Sequence, residues 1–222
     1  MGIISLNNAD KLFWLGRYSE RVYTTIRLFG EIFDRLIDED PRSFESFCAA
    51  LDIPCVYISG EDFVERYLFD PDNPDSVLSN LTRAYDNAVT LREEIGSECV
   101  SYIQLAMYSL NRAHGDQSPL IGLQQVMDSI LAFWGLADDM IADENVRNII
   151  KTGKRVERLD LYARLKRPAS DIQREVNRLS VRVSRTTLRY DPAMTEQMKT
   201  IAAAVPMDYR ALLALADGLV SV

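Results

Sequence analysis

At 222 residues the chain is long enough to bury one substantial core, and a single domain over residues 1–222 is the simplest organisation. A net charge of −8 argues against a general nucleic-acid binder, which needs a basic footprint. No run of about 18 apolar residues reads as a bilayer span, and no basic segment followed by an apolar stretch reads as a secretory signal. Met1-Gly2 hints at myristoylation, but Leu6 stands where Ser or Thr is required. Cys48, Cys55 and Cys99 are odd in number and lack metal or redox spacing, which fits reduced, mostly buried thiols in a cytoplasmic protein.

Helical periodicity dominates, and an all-α bundle with three or four long antiparallel helices at its centre is expected. Asn7 or Asn8 can cap a first helix whose apolar face runs Leu15, Tyr18, Val22, Ile26, Phe29, Phe33, Leu36 and which ends at Asp38-Glu39-Asp40. Asp40-Pro41 opens a short helix, Ile53–Ile58 is strand-like, and Ser59 caps another short helix through Tyr67. After the Asp70–Pro74 loop a helical tract is expected from about Asp75 to His114, with Gly96 marking a close contact or a bend. Beyond the loop at 115–119, a second tract reaches Pro168 and breaks near Asp143-Glu144-Asn145. Ser170 caps a helix through Arg189, Asp191-Pro192 starts a shorter one, and Pro206 sets off the last.

Two stretches share one charged signature: Gly16-Arg17-Tyr18-Ser19-Glu20-Arg21 with Arg27-Leu28, and Gly153-Lys154-Arg155-Val156-Glu157-Arg158 with Arg164-Leu165. Both read G-[RK]-x-x-E-R-x5-R-L, and the shared positions are mostly charges, so a common core pattern does not account for them. Arg17, Glu20, Arg21, Thr24, Arg27 and Glu31 occupy about one third of the helix circumference. Such a stripe is ordinarily a solvated face. Here Trp14, Tyr18, Tyr23 and Phe29 ring the same helix and leave little arc for solvent.

The run Leu12–Arg21 resembles the opening helix of the alpha-E domain family of bacterial helical proteins. Gly153–Leu165, with Asp160 after Glu157-Arg158, resembles that family's G-R-x-x-E-R-x-D motif. Asn87-Ala88 through Arg92 to Ser97-Glu98 resembles its central N-A-x-x-x-R-x4-S-E helix. The three segments cover most of the chain in the family's order, although Lys154 replaces one arginine, Cys99 stands where an aromatic is often seen, and the chain is shorter than many members. The resemblance implies a non-autonomous component of a peptide- or amide-forming system, linked to circularly permuted ATP-grasp ligases and transglutaminase-like proteins. ATP chemistry then belongs to the partner, and this chain needs no cofactor of its own.

If both stripes face inward their charges must pair, because an isolated buried ion costs several kcal/mol. Glu20 with Arg158 and Glu157 with Arg21 would form a reciprocal set, approached by Arg92, Glu93 or Glu98 from a third helix. Two readings stay open: a structural network that fixes register, or the floor of a pocket for an anionic or zwitterionic ligand built from Arg17, Glu20, Arg21, Arg27, Asn87, Arg92, Glu93, Glu98, Glu157, Arg158 and Arg164. A di-metal carboxylate centre would take two Glu-x-x-His pairs, and the chain has one histidine, His114, so no metal is expected. Glu20 or Glu157 as the general base of a stand-alone enzyme, and a purely structural or homo-oligomeric bundle, are the competing functions.

Arg174, Arg178, Arg182, Arg185 and Arg189 fall within about 80° of arc, opposite Ile172, Val176, Leu179 and Val183. They read either as a cationic face balanced by Asp138, Asp139, Asp143 and Glu144 or as a docking surface for an acidic partner.

Overall fold

A computed structural model describes residues 4–115 and 119–221; Met1-Gly2 and positions 116–118 of the expected loop lie outside them. The described residues are all-α apart from one two-residue strand pair. Helix α1 (Leu6–Asp38) starts ahead of the expected asparagines, because the Ser5 hydroxyl accepts from the Asn8 amide at 3.1 Å. Short helices α2 (Ser43–Leu51) and α3 (Gly60–Phe69) follow, the second capped by Ser59 as its spacing requires. Between them Ile53–Ile58 is an unpaired connection, so the strand-like run forms no strand.

The tract expected from Asp75 to His114 is three helices: α4 (Val77–Thr90), α5 (Arg92–Ile95) and α6 (Ser97–Ala113). Gly96, at φ +82°, breaks it in a conformation that residues with a Cβ rarely adopt. Helix α7 (Leu120–Met140) gives way to α8 (Glu144–Arg164), where the Asp143 carboxylate accepts from the Asn145 amide at 2.8 Å. Helix α9 (Ala169–Val183) ends six residues short of Arg189. Its terminal carbonyls are taken by local hydroxyls: Ser184 Oγ donates to Val181 O and Thr186 Oγ1 donates to Val183 O. Strand β1 (Arg189–Tyr190) pairs antiparallel with β2 (Val220–Ser221) around α10 (Pro192–Ala203) and α11 (Tyr209–Gly218).

Helix α1 is the axis of the fold, packed on α8, α4 and α7. One pair of neighbouring long helices departs from the antiparallel expectation. At one end of the molecule Ile4, Ser5 and Asn8 meet Glu94, Met140, Ala142 and Val146; further along, Leu28 meets Leu165 and Arg167. Helices α1 and α8 therefore run parallel, and the long excursion between them lets two distant segments share one direction. Helix α6 runs with them and α7 against them, the last two closing a hairpin in which Gly122 rests on Ala113. By length and composition alone α7 could cross a bilayer, with a mean hydropathy of 1.3 over an 18-residue window. Its Leu123, Val126, Ile130 and Phe133 stripe is nonetheless buried in the bundle core.

The parallel pair touches at backbone distance. A Cβ on Gly16 would overlap Ile150 O and stand 2.9 Å from Lys154 N; a Cβ on Gly153 would overlap Phe13 O and stand 3.2 Å from Arg17 N. The two glycines are equivalent positions of the duplicated signature, and each meets the equivalents of the other's neighbours, so the signature is related to itself by a pseudo-two-fold axis along the helices.

Gly16→Ala and Gly153→Ala should each destabilise the fold by about 3 kcal/mol or more, since backbone rather than a pliant side chain must yield. Gly30→Ala, with nothing within 4 Å of the added carbon, should instead stabilise by up to about 1 kcal/mol. Urea denaturation of the three variants reads both signs.

Candidate functional site

With the glycines in contact, the charges one turn further on are brought together across the helix pair. Glu157 accepts from Arg17 Nε at 2.8 Å on Oε2 and from Arg21 Nε at 2.5 Å on Oε1. Glu20 accepts from Arg158 Nε at 2.6 Å and Nη2 at 2.9 Å, and from the Thr24 hydroxyl at 3.0 Å. Both glutamates are 0 % exposed. Burial works against the charge on Arg21 and Arg158, but the paired glutamate outweighs it in each case and raises the guanidinium pKa. Every carboxylate oxygen of Glu20 and Glu157 accepts at least one hydrogen bond from its cross-helix or same-helix neighbours, and both groups are closed off from solvent.

Within the signature the pseudo-symmetry breaks at the cation that follows each glycine. Arg17 stacks over Trp14 (4.8 Å) and reaches Glu157, whereas its equivalent Lys154 lies 3.9 Å from the Trp134 ring centroid. Burial lowers the Lys154 pKa to about 7; Glu20 and Asp138 offset part of that shift, and Arg158 and Arg155 add to it.

The third segment does not join this lattice. Arg92 Nε donates to Ser97 Oγ at 2.9 Å, Glu93 and Glu98 are exposed beside Ile4 and Ala142, and Asn87 is half-buried at the end of α4 with its carbonyl accepting from the Leu91 amide. The breaks on either side of α5 pin these residues at the N-terminal end of α1, where Asn8 bonds Glu94, more than two turns from Arg17. Arg27 is exposed, and Arg164 turns away from Glu157 to Asp160 (2.8 Å) and Asp52 (3.1 Å).

The five-arginine face is also corrected. Arg185 and Arg189 lie beyond the end of α9 and are exposed. Arg174 pairs with Asp171 at 2.6 Å, Arg178 with Glu175 at 2.9 Å, and Arg182 donates to the Asn148 side chain at 3.0 Å. None of the anticipated acids pairs with these arginines; Asp138 is taken by Lys151 and Asp143 by its capping bond. Glu175, which sequence reasoning missed, is buried between the apolar residues of α9 and also takes Arg155 at 2.7 Å. His114 ends α6, stacked on Phe69 and bonded to Glu65. Cys48 and Cys99 are buried, and Cys55 is exposed.

Above the Glu157 half of the lattice opens a cavity of about 440 Å³. Its floor carries Arg17, Arg21 and Arg164, and four carboxylates face them: Asp52, Asp75, Asp160 and Asp217. Arg17 Nη1 reaches Asp217 at 3.6 Å. The Thr25 and Tyr67 side chains close the deep side, where burial raises the Tyr67 pKa. Asp75 contributes to the raised pKa of Arg21, yet no hydrogen bond or ion pair engages its carboxylate among the described residues. Only Asp160 left a trace in the sequence, one turn before Arg164. Asp52, Asp75, Tyr67 and Asp217 come from loops and short helices whose docking no periodicity encodes. Among the described residues no group of three or more His, Cys, Asp or Glu is arranged to hold a metal ion.

A family model described as a predicted alpha-helical domain with a conserved ER motif matches residues 7–203. Comparison with curated proteins and with solved structures finds no match to either.

Glu20→Ala should cost on the order of 3–5 kcal/mol in urea denaturation, because it strands the Arg158 guanidinium beneath the surface. Lys154 makes a second expectation. Unfolded, it holds its proton up to about 10.4, and folded it releases it near 7, so the unfolded chain binds more protons between those values. Its contribution to stability therefore rises with pH across that window. The urea midpoint of wild type, measured against Lys154→Met, should climb from pH 7 towards 10, and parallel curves for the two proteins would refute it.

Proposed function

The chain belongs to the Alpha-E family, and on that premise we propose that it is a non-autonomous component of a peptide- or amide-forming system that presents or shields the substrate of an ATP-grasp-type ligase, with a transglutaminase-like protein as the other expected partner. In this reading the partner forms the acyl phosphate, and this chain works alongside it in the cytoplasm without a cofactor of its own. The single observation that carries the reading is the cavity above Glu157, which offers guanidinium and carboxylate groups to one ligand. Its arginines suit a carboxylate end, and the unengaged Asp75 suits an ammonium end, the two charges of an amino acid or short peptide. Its volume falls within the roughly 300–1,000 Å³ of pockets that enclose small ligands.

The lattice beneath supports the same division of labour. Clamped between guanidinium groups, Glu157 acts as a brace that fixes Arg17 and Arg21 before any ligand arrives. A stand-alone enzyme using Glu20 or Glu157 as general base would need one of these clamps to open.

Calorimetric titration with a simple dipeptide tests the cavity. Asp75→Asn should weaken binding by at least about tenfold, near 1.4 kcal/mol, with little change in stability, because no hydrogen bond or ion pair among the described residues engages the Asp75 carboxylate. Co-purification with an ATP-grasp ligase sought among the neighbouring genes, and a rise in that ligase's turnover on adding this chain, are the expected results. No complex and unchanged turnover would defeat the proposal.

A further inference from the structure

The pseudo-two-fold axis that relates the two signatures also relates two cavities. Below the Glu20 half of the lattice lies a smaller one of about 180 Å³, bounded by Tyr23, Thr24, Arg27, Arg158, Tyr162 and Arg167, with Asp171 at its edge. Most residues that the duplicated signature contributes here have their counterparts in the larger cavity: Arg158 answers Arg21, Thr24 answers Leu161, and Arg27 answers Arg164.

The decisive difference is at the position that holds Asp160 in one copy and Tyr23 in the other. Asp160 accepts from Arg164 at 2.8 Å, and Asp52 takes the same guanidinium at 3.1 Å. Tyr23 offers Arg27 no charge, and no acidic side chain pairs with Arg27 or Arg167 among the described residues. Arg158 spends Nε and Nη2 on Glu20 and keeps Nη1. The cavity's one acid, Asp171, is already held by Arg174 at 2.6 Å. Three arginines thus line a space whose only carboxylate is committed elsewhere; Glu20 balances Arg158, and among the described residues no ion pair balances Arg27 or Arg167.

We propose that this second cavity is a binding site for a phosphate group, as the free anion or as a phosphate monoester. Guanidinium donors that arrive from α1, α8 and the segment after α8 approach from different sides, which suits a tetrahedral dianion better than a planar carboxylate. The volume lies below the roughly 300 Å³ at which pockets begin to enclose a whole small molecule, so the phosphoryl group enters and the remainder of an ester stays outside. The Glu20 clamp holds Arg158 in place, while Arg27 and Arg167 are free to close on the ligand.

The test is calorimetric titration of the full chain with inorganic phosphate and, separately, with phenyl phosphate, at an ionic strength held constant with chloride. At least one of the two should bind saturably; phosphate alone would identify the free anion, and phenyl phosphate alone the ester. Arg27→Gln and Arg167→Gln lie outside the buried lattice and should each weaken binding by at least about tenfold while leaving the urea midpoint in place. Tyr23→Asp, which copies the other cavity's acid, should abolish binding. Asp75→Asn should leave phosphate binding untouched, so that the two cavities are judged separately. Failure of both ligands to bind, or wild-type affinity in Arg27→Gln and Arg167→Gln, would overturn the assignment.

Discussion

Everything in this bundle depends on two helices of the same direction meeting at a pair of glycines. Without a Cβ on Gly16 or Gly153, the backbones of α1 and α8 approach until each glycine sits against the other helix's carbonyl. That separation is what puts Arg21 within 2.5 Å of Glu157 and Arg158 within 2.6 Å of Glu20. A wider crossing would leave four charges buried without partners, which is the most destabilising arrangement a core can hold. Glycine and ion pair therefore form one device: the small residue sets the distance, and the charges penalise every other distance.

The same device selects register. Sliding α8 by one turn along α1 would keep many apolar contacts, since Leu, Ile and Val are forgiving neighbours. It would not keep the hydrogen bonds, because Glu157 must face both Arg17 and Arg21 while Glu20 faces Arg158. Parallel helices need this help more than antiparallel ones, because no short turn ties their ends and the chain returns only after passing through six other helices. Buried ion pairs are a weak source of net stability, and register is the use for which they are best suited.

Much of this could be read from the sequence, for identifiable reasons. The all-α class, the helix starts at Ser59 and Asp191 and the break near Asp143 follow from local chemistry, and both caps and the break are present. The reciprocal pairing of the two Glu-Arg dipeptides was legible because a repeated pattern of charges has few solutions in a core. Direction was not: an internal repeat fixes which residues are equivalent but says nothing about how the intervening chain travels. Arg92, Glu93 and Glu98 lie away from the lattice because the tract breaks twice, at Leu91 as well as at Gly96, and only the glycine marks a bend in the sequence. The arginine stripe failed at its far end because hydroxyl groups after Val183 took the carbonyls that another helical turn would have used. Pocket residues such as Asp75 and Tyr67 were invisible, since their neighbours are set by tertiary docking alone.

The larger cavity has two kinds of wall. Its floor lies within the span that matches the family, residues 7–203, and is cast in the glycine-and-ion-pair frame. Leu213, Ala214 and Asp217 belong to α11, beyond that span, on a segment whose two ends are stitched to each other by the Arg189–Tyr190 and Val220–Ser221 strands. A change at Leu213 or Ala214 therefore reshapes that wall without touching the glycines or the buried glutamates that hold the two helices together.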